Sequence, residues 1–124
     1  MLGPRQKQLV DALRSGRFIQ GTGCLQSVID NDSAYCCLGV ACKIAEENDI
    51  PVVYDSNAKI YGKTLFNQPS VKSWYGFMKD SGIFSEGSSL INLTHLNDGV
   101  GLNFSEIADV IENMLIVFLL NRFN

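Results

Sequence analysis

Histidine and tryptophan each occur once in these 124 residues, proline three times, and charged side chains make up only 19% of the chain. Each scarcity excludes something. A structural zinc site wants four Cys or His ligands in closely spaced pairs. The four cysteines, Cys24, Cys36, Cys37 and Cys42, contain no C-x-x-C pair and have one histidine to join them, so no metal is expected. The ten basic residues are scattered and outweighed by thirteen acidic ones, giving a net charge of −3 and a pI near 5.0. That balance excludes a broad grip on extended nucleic acid, which needs clustered Lys and Arg to neutralise phosphates. Residues 114–120 are an apolar run of seven, far below the roughly 20 needed to span a bilayer. The start, Met1 to Lys7, has basic residues but neither the apolar stretch nor the cleavage site of a secretion signal. The chain is therefore expected in the cytosol, without a membrane partner, its thiols reduced and packed as small hydrophobes.

What is present is a core. Hydrophobic residues make up 46% of the chain, enough for one domain spanning residues 1–124. The stretch from Tyr35 to Glu47 organises it. Cys37, Val40, Ala41 and Ile44 line one face of a helix, and Leu38, Cys42 and Ala45 continue around the side. A helix apolar most of the way round belongs inside a core. Gly39 costs such a helix about 1 kcal/mol against alanine, so another backbone is expected to pack closely there.

The remaining elements are expected around this helix. Gly3-Pro4 opens a first helix that carries Leu9, Val10, Ala12 and Leu13 and ends at Ser15-Gly16. Phe18, Ile19, Leu25, Val28 and Ile29 suggest two strands joined at Gly21-Thr22-Gly23, with Asp30-Asn31-Asp32-Ser33 as a polar turn into the central helix. Residues 52–66 read as further strands beyond Pro51. A helix starting at Pro69 carries Val71, Trp74, Tyr75 and Met78 and stops at Asp80-Ser81-Gly82. The last helix begins at a capping box, Asn103 with Glu106. The fold class is α+β: a buried central helix, flanking helices and a small antiparallel sheet from residues 18–28 and 52–66.

Three patterns bear on chemistry. Arg17 and Gln20, together with Tyr61 and Lys63, are candidates to line a pocket for an anionic, ring-bearing ligand. Gly99-Val100-Gly101 before a capped helix has the layout in which amides receive phosphate, although no Lys follows as in a P-loop. Asn97 and Asp98 just before it serve either as turn formers or as base and ribose contacts. Finally, Cys36 or Cys37 at a helix N-terminus is placed to be a nucleophile, with His95 and Asp98 as base and orienting group. Core packing is the simpler role for those thiols, and no catalytic residue is assigned.

Leu13-Arg14-Ser15-Gly16-Arg17-Phe18-Ile19-Gln20-Gly21, Tyr35-Cys36-Cys37-Leu38-Gly39-Val40, Ser73-Trp74-Tyr75-Gly76, Leu96-Asn97-Asp98-Gly99 and the stretch from Phe104 to Glu112 together resemble a family of small, uncharacterised phage and bacterial proteins. The blocks cover most of the chain between residues 13 and 112. The resemblance brings no enzymatic motif and no cofactor; it implies a phage accessory gene, a group that often acts on host pathways or host defence. His95 lies outside the pattern, and residues 113–120 are more apolar than it, which points to a homo-oligomer through that helix. The expectation is a non-enzymatic accessory protein in the host cytosol that sequesters a small anionic ligand, a cyclic nucleotide signal of antiphage defence. The alternatives are an interaction module that inhibits a host enzyme through the Trp74-Tyr75 helix or the C-terminal helix, and a cysteine-dependent hydrolase.

Overall fold

The structure is a computed structural model that describes residues 3–55, 60–62, 64–77, 82 and 92–122, with the backbone alone at 66 and 114–122. Helix α1 (Pro4–Arg14) is followed by strands β1 (Ile19–Gln20), β2 (Gln26–Ile29) and β3 (Asp32–Tyr35) and by helix α2 (Cys37–Glu47). A 3-10 turn (Leu65–Asn67), helix α3 (Pro69–Tyr75), a π-helix (His95–Val100) and helix α4 (Phe104–Arg122) complete the order. The α+β class is as expected from the sequence.

Helix α2 is the centre. Eight of its eleven residues are buried, all but Lys43, Glu46 and Glu47, and α1, α3 and β3 pack on it. Gly39 is where the close approach occurs: a Cβ there would stand 1.8 Å from the carbonyl oxygen of Leu25. Helix α1 opens with Pro4 in its first turn, buries Leu9, Val10 and Leu13, and ends before Gly16, which takes a positive φ of 74°. Its Arg14 reaches across to α4, donating to Asp109 at 2.6 Å and to Glu112 at 2.5 Å. The capping box on α4 forms in both directions: Asn103 Oδ1 accepts from the Glu106 amide at 2.8 Å, and Glu106 Oε1 accepts from the Asn103 amide at 3.0 Å.

The sheet differs from the expectation in two ways. Its order is β1-β3-β2, with β1 parallel to β3 and β2 antiparallel to it, so it is mixed. The hairpin turn is Asp30-Asn31, both with positive φ (51° and 70°), which suits the right-handed twist of a two-residue hairpin. Asp32 and Ser33, read from the sequence as turn, belong to the strand. The glycine turn at Gly21-Thr22-Gly23 leads from β1 into β2 and is held by side chains of the π-helix.

Residues 52–66 contribute no strand among the described residues. A side chain takes the place of a neighbouring strand: buried Gln68 accepts from the Val53 amide at 2.8 Å and donates to the Val53 carbonyl at 2.6 Å. Helix α3 also stops earlier than expected, because Gly76 enters the left-handed region (φ 80°) and the amides of Gly76 and Phe77 both turn back to the Lys72 carbonyl. That is the double closure typical of a glycine-terminated helix. Met78, Asp80 and Ser81 lie outside the described residues, as does Lys63. No helix among the described residues is long and apolar enough to cross a membrane.

Candidate functional site

The structure divides the sequence-predicted site residues into two groups. Gln20, Asn97, Asp98, Gly99 and Gly101 meet where the glycine turn, the start of α2 and the π-helix converge. Asn97 is 1% exposed and makes four hydrogen bonds. Its oxygen accepts from Gln20 Nε2 at 2.9 Å and from the Cys37 amide at 3.2 Å. Its nitrogen donates to the Gly21 carbonyl at 2.9 Å and to Asp98 at 2.7 Å. An amide side chain offers two donors and two acceptor lone pairs, and all are used inside the protein.

The surroundings are equally occupied. Gln20 donates a second bond to the Leu102 carbonyl at 2.8 Å, and Asp98 accepts from the Gly23 amide at 3.1 Å. Cys36, the N-cap of α2, provides no side-chain cap; Asn97, sixty residues on, caps the first amide of the helix instead. The amides of Gly101 and Leu102 close the π-helix on the Leu96 carbonyl, and Gly99 lies under the His95 ring. These amides terminate a helix and are not gathered as an open anion cradle.

The thiols at the start of α2 sit in the same region. A helix N-terminus lowers a thiol pKa, whereas burial raises it. Burial wins here: Cys36 is pushed up to about 11, despite the pull of the Leu38 and Gly39 amides, and Cys37 well above its ordinary value. Thiolate is therefore scarce at neutral pH. The unfolded chain releases the Cys36 proton near 9.0 and the folded chain near 11, so this contribution to stability is present below about 9 and lost as pH rises toward the folded value. Urea unfolding followed between about pH 8 and about pH 10.5 is expected to show a falling midpoint; a flat or rising midpoint would contradict the burial argument.

The second group lies at the other end of α2. Arg17 Nη1 donates to Glu47 Oε1 at 3.0 Å, and its Nη2 donates to Glu47 Oε2. This forked pairing raises the guanidinium pKa and lowers that of the carboxyl. The guanidinium carbon sits 4.8 Å from the centre of the Phe18 ring. Phe18 heads an aromatic row: Tyr35 at 5.5 Å, Tyr61 at 6.3 Å beyond it and Tyr54 stacked on Tyr61 at 5.5 Å. Tyr61, itself buried, donates its hydroxyl to Glu46 at 3.1 Å. Burial, and then the Glu46 carboxylate, push its pKa up. The Arg17 backbone is tied separately, where Ser15 Oγ accepts the Arg17 amide proton at 3.1 Å.

Arg17 and Glu47 both line an open groove of about 470 Å³ between α1 and the end of α2. Gln8, Asp11, Ala12 and Ser15 supply the α1 side, and Ile44, Glu47 and Asn48 the α2 side. Both sets follow helical spacing, so each is one stripe of its helix. Ala12 and Ile44 are the apolar residues of its lining, and Asn48 Nδ2 bridges Gln8 Oε1 and the Ile44 carbonyl, both at 2.8 Å. The volume falls within the range of small-molecule sites.

Sequence reasoning found Arg17 but missed its partners. The available signal was the stripe Gln8, Asp11, Ala12 and Ser15 beside the buried Leu9 and Leu13, facing the polar end of an otherwise apolar α2. The pairing with Glu47, thirty residues away, had no local signature.

Together these features define a small α+β domain with a buried, remotely capped central helix and a charged groove at that helix's end. Residues 4–115 match the family described as a domain of unknown function, DUF8296, and the chain belongs to that family. No curated protein and no solved structure matches the chain.

Proposed function

We propose that this protein captures a small, anionic, ring-bearing ligand in the α1–α2 groove and holds it without transforming it. The observation that carries the reading is Arg17: a two-pronged donor, fixed against Phe18, whose present partner is an exposed carboxylate that a ligand anion can replace. Exposed ion pairs of this kind add little to stability, so exchanging partners costs the fold little. Proton-bearing, buried thiols speak for binding over cysteine chemistry.

In its fullest form the proposal is that of a phage accessory protein sequestering a cyclic nucleotide signal of host defence. The interaction-module alternative loses part of its support. Tyr75 is buried with its hydroxyl on the Ala41 carbonyl at 2.9 Å, and Trp74 is covered by Arg5 at 5.3 Å from its ring. The second contact proposed for it, and for a homo-oligomer, is the run at 113–120, where only the Asn113 side chain is among those described.

The test is a thermal-shift series with mono-, di- and cyclic nucleotides on the wild type and on Arg17→Ala. A ligand at a hundredfold excess over Kd adds about 2.7 kcal/mol to the folded state, a clear rise in Tm. The expected result is a rise with the wild type, none with Arg17→Ala, and ligand recovered chemically unchanged after heat release. Altered ligand would make the protein an enzyme; no rise with any nucleotide would remove the nucleotide reading.

A further inference from the structure

We infer that Lys43 is a positioning residue of the groove: when a ligand anion takes Arg17, Lys43 leaves Glu46 for Glu47 and draws the displaced carboxylate away from the incoming charge. The inference rests on the capture reading above and supplies what that reading needs, a destination for Glu47.

Exchange at Arg17 meets one electrostatic obstacle. Both Nη atoms of Arg17 are bonded to Glu47, so an anion that replaces Glu47 sets a free carboxylate beside a second negative charge. Like charges a few ångströms apart repel even in water. Glu47 also ends α2, where the carbonyl end of the helix disfavours a carboxylate. The released side chain needs another cation within reach.

Lys43 meets that need. It stands one helical turn before Glu46 and Glu47, and at about 3.6 residues per turn it falls between them around the axis, about 60° from the first and about 40° from the second. Its Nζ pairs with Glu46 Oε1 at 3.4 Å, longer than a well-made charged hydrogen bond. Arg17 holds the Glu47 carboxyl below the ordinary carboxylate range, and the charge of Lys43 adds to the effect. Glu46 loses little when Lys43 turns, because the same oxygen accepts the hydroxyl of buried Tyr61 at 3.1 Å. Lys43 is outside the groove lining, whereas Glu47 is part of it, so pairing with Lys43 takes the carboxylate out of the ligand's way. After the exchange Arg17 holds the ligand, Lys43 holds Glu47 and Tyr61 holds Glu46, and no carboxylate of the cluster is left without a donor.

The experiment titrates the full chain by calorimetry with AMP and with cyclic AMP. Lys43→Gln is expected to weaken binding about two- to threefold, the scale of one helix ion pair at this spacing, while Lys43→Arg keeps the wild-type affinity. In a Glu47→Gln background no carboxylate is displaced, and there Lys43→Gln should have no effect. Unchanged affinity in Lys43→Gln overturns the inference, as does an equal loss with and without the Glu47 carboxylate, which would mean that Lys43 attracts the ligand directly. A second measurement needs no ligand, since Arg17→Ala frees Glu47 permanently. By carbon NMR of the side-chain carboxyl, Lys43→Gln is expected to raise the Glu47 pKa more in the Arg17→Ala background than in the wild type, because there Lys43 is its partner. Equal rises would mean that Lys43 stays with Glu46, and overturn the inference. If neither nucleotide binds the wild type, the capture reading fails for both, and the NMR comparison alone decides whether Lys43 receives Glu47.

Discussion

Replacing Gly39 by alanine is expected to cost the fold about 3 kcal/mol or more, beyond the usual range for an added methyl group because the obstacle is backbone. At this chain length that corresponds to a fall in Tm of roughly 10 °C. In an unobstructed helix the same change would stabilise by about 1 kcal/mol, since glycine is the poorer helix former. The sign is decided by space. The added Cβ would lie 1.8 Å from the Leu25 oxygen, 2.7 Å from its carbonyl carbon and 3.2 Å from the Tyr35 Cβ. Leu25 cannot retreat cheaply, because its amide donates to the Gly62 carbonyl at 2.9 Å and its carbonyl accepts from the Cys36 amide at 3.3 Å. Thermal melts by circular dichroism of wild type and Gly39→Ala decide the matter. An unchanged or raised Tm would mean that α2 does not lie against Leu25 as described.

This close approach was legible in the sequence because a glycine that weakens the middle of an all-round apolar helix is best accounted for by a backbone packed against it. The same holds for the capping box at Asn103 and Glu106, where the whole signal lies within four residues. Legibility failed where the determining contact is remote. Asp30-Asn31 and Gly21-Thr22-Gly23 are both good turn sequences, and nothing local says which one closes a hairpin. The choice is made by the π-helix, whose Asn97 and Asp98 hold the glycine turn from more than seventy residues away. Residues 52–66 have strand-like composition, yet the bonds that a neighbouring strand would supply come from the Gln68 side chain. At the groove, Arg17 was recognisable by residue type alone, whereas its partner Glu47 and the facing stripe of α1 emerge only when the two helices pack.

Asn97→Asp carries the second large effect, and it has a distinctive pH dependence. The substitution keeps the shape of the side chain and the oxygen that accepts from Gln20 and Cys37. It replaces the nitrogen that donates to the Gly21 carbonyl at 2.9 Å and to Asp98 at 2.7 Å. An ionised carboxyl there would face one carbonyl and one carboxylate across hydrogen-bonding distance, in a site 1% exposed. Removing a buried partner and leaving a buried charge without compensation costs about 3–5 kcal/mol. Protonation relieves most of it, because the acid form can donate to Gly21 or to Asp98. The introduced carboxyl therefore titrates higher in the folded chain than in the unfolded one, and the sign follows. Relative stability is retained below the ordinary carboxyl pKa, near about 4, and is lost as pH rises through the raised folded value. Urea unfolding of wild type and variant at about pH 4.5 and about pH 7.5 is the measurement, and the deficit should be larger at the higher pH by at least about 1 kcal/mol. Equal deficits at the two values would show that the lost donor, and not the charge, sets the cost. A deficit under about 1 kcal/mol at both would mean that Asn97 does not tie α2, the glycine turn and the π-helix together. Because the same side chain caps the central helix and pins the turn after β1, its loss is expected to lower one cooperative transition rather than release a single loop.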